Sequence, residues 1–125
     1  MTHTIAKLHP METVNFDHAT LAALCATEGV QAEATITEAL ARVEALIALI
    51  ATQDNHPSGL ERSCADLQQI AAQIGMTTIR DAAEAVLTCL AMRNDTARAA
   101  CTARLVRMGE PKQTGGWKMT PDTVA

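Results

Sequence analysis

Ile36, Leu40, Val43, Ile47 and Ile50 recur at alternating steps of four and three residues, the spacing that sets side chains along one stripe of an α-helix. Leu46 and Leu49 widen that stripe, so a helix over residues 30–53 presents more apolar surface than one neighbour covers. At least two further helices must pack on it. Aromatic residues are 2% of the chain, tyrosine is absent, and small and aliphatic side chains make up most of the 48% that is hydrophobic. That mixture favours helices over the β-branched and aromatic surfaces of sheets. A chain of 125 residues has room for one core. The expected fold is all-α, an antiparallel up-and-down four-helix bundle with a short extra N-terminal helix.

Punctuation along the chain supplies the other helices. Residues 1–14 have no sustained period and contain Pro10, so they read as an N-terminal arm. Asn15 or Asp17 caps a first helix that runs through Leu21 and Leu24 to Gly29. Asp54-Asn55-His56-Pro57 ends the second. Ser58 and Glu61 have the spacing of a capping box for the third, which Gly75 closes. Thr77 or Thr78, with Asp81, opens a fourth helix that buries Ile79, Ala83, Val86 and Leu90. Asn94 or Asp95 caps a fifth that buries Ala97, Cys101, Leu105 and Met108 before Gly109 and Pro111. The bundle domain thus occupies residues 15–110, and residues 111–125, rich in turn formers and without period, read as a flexible C-terminal tail.

The third helix carries the functional clue. With Leu60, Cys64, Leu67, Ala71 and Ile74 inward and Ile70 beside them, its register turns Arg62, Ala65, Gln68, Gln69 and Ala72 outward. No side chain of that outer set is a nucleophile. The stretch Ala65-Asp-Leu-Gln-Gln-Ile-Ala-Ala-Gln-Ile-Gly75 resembles the central helix of the histidine-phosphotransfer (HPt) domain family. The family pattern runs His-x-Leu-Lys-Gly, small residues, an apolar residue and Gly, and Leu67, Ala71, Ile74 and Gly75 match it. Val14-Asn-Phe-Asp-His-Ala-Thr-Leu-Ala-Ala-Leu24 is similar to the family's short first helix with its lead-in, and Asn94-Asp95 to the turn before its last helix. The resemblance covers residues 14–108 and implies an HPt-like bundle.

At the reactive positions the chain departs from that family. Ala65 stands where the phosphorylated histidine is expected, Gln68 where the lysine is, and Gln69 where the glycine is. Alanine has no nucleophilic atom. Gln68 donates a hydrogen bond without charge, and Gln69 adds bulk where a partner domain needs clearance. The four histidines do not replace the missing one. His18 opens a short helix, His56 sits in the turn before Pro57, and His3 and His9 lie in the arm. None lies on an expected helix with a lysine or arginine three or four residues on, as a phosphate site on a helix face requires.

Charge narrows the partner class. The net charge is -4, and residues 60–110 balance six arginines with six acids, so a nucleic-acid backbone finds no net basic surface. Arg98, Arg104 and Arg107 form a secondary basic surface on the fifth helix, and Trp117 is a possible anchor in the tail. Cys25, Cys64, Cys89 and Cys101 are far apart in sequence, with neither Cys-x-x-Cys spacing nor a secretory signal. Reduced, mostly buried thiols are expected, with no metal and no cofactor. The apolar run at 39–51 is interrupted by Arg42 and Glu44 and is shorter than the roughly 20 residues that span a bilayer, so no membrane association and a cytoplasmic location are expected.

Three functional readings follow. The first is a non-enzymatic module of phosphorelay signalling that binds a response-regulator receiver domain or a histidine kinase without carrying phosphate, through Arg62, Ala65, Gln68, Gln69 and Ala72. The second is a structural, self-associating bundle, a homodimer formed through the wide apolar stripe of residues 36–50. The third is active phosphotransfer through His18 or His56.

Overall fold

A computed structural model describes residues 14–110, and within them every regular element is helical. The elements are α1 (His18–Glu28), a single 3-10 turn (Gly29–Gln31), α2 (Ala32–Ala51), α3 (Pro57–Gln73), α4 (Thr77–Ala91) and α5 (Asp95–Met108). The expected tail, and the expected arm up to residue 13, including His3, His9 and Trp117, lie outside the described residues, while Val14 at the end of the arm packs against the core.

Helices α2 to α5 close a ring, since each packs on the next and α2 also meets α5. The apolar stripe of α2 is the wall it shares with the core: Ile36, Leu40, Val43, Ile47 and Ile50 are all buried. Opposite it stand Leu60, Cys64, Leu67, Ile70 and Ala71 of α3, Ile79, Ala83 and Val86 of α4, and Leu105 and Met108 of α5. Leu46 is half-buried, whereas Leu49 is 47% exposed, so the stripe is narrower at its edge than its spacing implies.

The turns explain where the helices end. After α3, Gly75 adopts a left-handed φ of 72°. The Met76 N–H then donates to the Ala71 carbonyl at 2.8 Å and the Gly75 N–H to the Ala72 carbonyl at 3.3 Å, which is the hydrogen-bond pair of a Schellman motif. Met76, the apolar residue just beyond, is fully buried. A Cβ on Gly75 would stand 3.0 Å from the Asp17 carbonyl oxygen. Close approach there is used. The Asp17 N–H donates to the Gly75 carbonyl at 2.7 Å, and Phe16 and Met76 form an isolated bridge, tying the start of α1 to the α3–α4 turn.

The turn between α4 and α5 repeats this motif without glycine. Arg93 takes the left-handed φ of 55°, the Asn94 N–H donates to the Cys89 carbonyl at 3.0 Å and the Arg93 N–H to the Leu90 carbonyl at 3.1 Å. Asn94 then caps α5, its side-chain oxygen accepting from the Ala97 N–H. At the far end of α5, Gly109 lies against the Ile47 side chain, where a Cβ would collide.

Two expected capping boxes do not form. Helix α3 begins at Pro57, one residue before Ser58, because the fixed φ of proline suits the first helical position and its missing N–H costs nothing there. At α4, Thr77 and Thr78 turn to the lead-in of α1 instead. The Thr77 hydroxyl donates to the Asn15 carbonyl and Thr78 Oγ1 accepts from the Asn15 N–H. Asp81 pairs with neighbouring Arg80 at 3.1 Å. On α5 the inward register is also shifted: Thr102 is buried with Leu105 and Met108, while Ala97 and Cys101 are only half-buried.

Candidate functional site

Helix α3 lies between α2 and α4 in the ring, and this position fixes its outer face. Its inward residues are at or near zero exposure, so the helix is held in one rotational setting. On the opposite side Arg62, Ala65, Gln69 and Ala72 are exposed, and Gln68 is half-buried at the border of the face. Asp66, outside the expected set, is exposed as well, four residues from Arg62. The signal that finds it is register: positions 62, 66 and 69 share a helix side at steps of four and three.

Chemically this surface is quiet. Cys64, the nucleophile nearest in sequence to Ala65, points into the core, and burial pushes its thiol up to about 12. Ser63 is buried too. Around Ala65 and Ala72 the outside carries the Gln68 and Gln69 amides, with Arg62 flanked by the two acids Glu61 and Asp66. Such a face hydrogen-bonds and lets a flat partner approach along Ala65 and Ala72. It offers neither a nucleophile nor a cation cluster.

The structure scatters the other candidate residues. His18 is the first residue of α1 and His56 precedes the first turn of α3; both are exposed, on different elements. The arginines of α5 differ among themselves. The Arg98 guanidinium donates to Asp54 Oδ1 at 3.1 Å, with its side chain 15% exposed, and the two line a cleft with Asn55, Leu60, Leu90 and Arg93. Arg104 is half-buried and Arg107 exposed.

The cysteines also divide. Cys25 is exposed on α1 and Cys64 is sealed in the core, but Cys89 and Cys101 face each other across the α4–α5 seam with their sulfurs 3.9 Å apart. Distance in sequence hid that pair, since a step of twelve residues spanning a turn belongs to no single helix face.

Among the described residues no helix is long and apolar enough to cross a membrane. No family model, curated protein or solved structure matches this chain.

Proposed function

We propose that this chain is a non-catalytic, HPt-like docking module of phosphorelay signalling that binds a receiver domain or a histidine kinase through α3 and carries no phosphate. In this reading α2 to α5 alternate up and down, α1 lies across one end, and the module works in the cytoplasm. The observation that carries it is the outer face of α3, where Ala65, Gln69 and Ala72 are exposed and Gln68 borders them, while the neighbouring thiol and hydroxyl are turned inward. In an HPt-like helix the reactive imidazole projects from the position of Ala65. A methyl group there leaves a partner a surface to sit on and no atom to accept a phosphoryl group. Flanking Arg62 and Asp66 supply opposite charges that set the orientation of docking.

The test is to mix the protein with phosphorylated receivers and with autophosphorylating kinases, and to follow both complex formation and transfer of label. Complex without label is expected. Stable label on this chain refutes the non-catalytic reading and, if His18→Ala or His56→Ala abolishes it, establishes the third one. Absence of any complex removes the partner class. The homodimer reading keeps one supporting observation, the exposed Leu49 beside half-buried Leu46 on α2, and light scattering on the purified chain decides it.

A further inference from the structure

The two half-buried thiols of the α4–α5 seam have no part in the α3 face. Cys89 is the third residue from the end of α4, Cys101 is in the middle of α5, and their sulfurs are 3.9 Å apart in mutual hydrogen-bonding contact. A disulfide holds its sulfurs about 2.05 Å apart, so side-chain rotation over roughly 2 Å brings the pair to bonding distance. Both are half-buried, open to a small oxidant and enclosed enough to find each other before a second molecule.

We propose that Cys89 and Cys101 are a redox modification site, oxidised by a hydroperoxide to a reversible disulfide that clamps α4 to α5. The Cys101 thiolate attacks one peroxide oxygen. The O–O bond breaks, a sulfenic acid forms on Cys101, and the leaving oxygen takes up a proton as water or alcohol. The Cys89 sulfur then attacks the sulfenic sulfur as its own proton departs, the S–O bond breaks, and the hydroxide leaves as water. Two thiols have given up two electrons and the peroxide has received them. Burial, then the hydrogen bond with Cys101, raises the pKa of Cys89 and disfavours its thiolate, so the first attack is assigned to Cys101.

The closed loop holds Arg93 in its left-handed conformation, the Asn94 cap and Arg98, which pairs with Asp54 beyond α2. Oxidation therefore fixes the end of the bundle where the α2–α3 and α4–α5 turns meet at the Arg98 cleft. Constraining the unfolded chain in this way stabilises the fold.

The experiment uses the full chain carrying Cys25→Ser, which removes the exposed thiol. Reduced protein is titrated with hydrogen peroxide, quenched with an alkylating agent, and mapped by mass spectrometry after trypsin without reductant. The expected product is a cross-link between fragments 81–93 and 99–104 that dithiothreitol reverses and that Cys89→Ser or Cys101→Ser abolishes. Its melting temperature exceeds that of the reduced form by roughly 5–15 °C. Full alkylation of both cysteines after excess peroxide overturns the site. A cross-link that lowers the melting temperature overturns the clamp.

Discussion

Helices α3 and α5 are similar in length and both line the core, yet they are held by different means. Six side chains of α3 are buried, five of them apolar or sulfur-bearing: Leu60, Cys64, Leu67, Ile70 and Ala71, with Ser63. Helix α5 buries Thr102, Leu105 and Met108, and the Thr102 hydroxyl has no hydrogen-bond partner among the described residues. What α5 lacks in apolar packing it makes up at its ends, through the Asn94 cap, the Arg98–Asp54 pair and the close seat of Gly109 on Ile47. A helix fixed by core packing presents a constant surface, whereas one fixed by caps and polar pairs responds to changes at those few contacts. The proposed docking face and the proposed redox pair fall on opposite sides of that division.

The most direct way to break the comparison is to empty one site on each helix. Leu67→Ala removes a fully buried side chain from the middle of α3 and is expected to cost about 3–4 kcal/mol, read as a lower urea midpoint at unchanged m-value. Thr102→Ala on α5 removes a methyl group and an unsatisfied hydroxyl together, and stays within about 1 kcal/mol of the parent. Equal losses would mean that α5 is as tightly packed as α3. Next in size is Gly75→Ala. A side chain at φ 72° and 3.0 Å from the Asp17 carbonyl oxygen is strained on both counts, and the expected loss is about 2 kcal/mol in thermal unfolding.

The thiols sharpen the contrast through pH. Cys64 of α3 has its pKa raised from 9.0 to about 12 by burial. Between those values the unfolded chain releases that proton and the folded chain keeps it, so the contribution of Cys64 is whole below pH 9.0 and is lost as pH rises toward about 12. Stability curves over this window should flatten in Cys64→Ala relative to wild type. A smaller effect of opposite sign is expected at the α4–α5 turn. Arg93 holds a left-handed φ of 55°, so Arg93→Gly relieves backbone strain and should stabilise the protein by about 0.5–1 kcal/mol. A loss instead would mean that the Arg93 side chain does more for the cleft than its backbone costs.

The same division separates what the sequence makes legible from what it hides. The stripe of α2 and the inward register of α3 follow from spacing alone, because each side chain's direction is set by its own helix. Gly75 was legible as a stop for the same local reason, and the α5 cap to within one residue, Asn94 or Asp95. The start of α3 was not, since Pro57 and Ser58 both suit a helix N-terminus and local chemistry does not rank them. Nor were the partners of Thr77, Thr78 and Arg98, which lie 62, 63 and 44 residues away. Buried Met76 had a readable signal, an apolar residue directly after the closing glycine, which a Schellman turn folds back onto its helix. Contacts between helices, including Cys89 with Cys101, depend on how two registers face each other, and one chain's periodicity does not encode that.

The smallest expected change in stability is at Gln69→Arg, and it tests the α3 face most sharply. Gln69 is exposed, and arginine is at least as good a helix former as glutamine, so the fold should stay within about 0.5 kcal/mol of wild type. Binding should not. A long cation beside Ala65 and Ala72 props a flat partner off the methyl surface and changes the charge that the partner meets there. A receiver or kinase that docks there should bind at least about tenfold more weakly, equivalent to about 1.4 kcal/mol. If Arg98→Ala weakened the complex while Gln69→Arg left it unchanged, the comparison would be inverted: the partner would sit on the polar end of α5, and the rigid face of α3 would be scaffold alone.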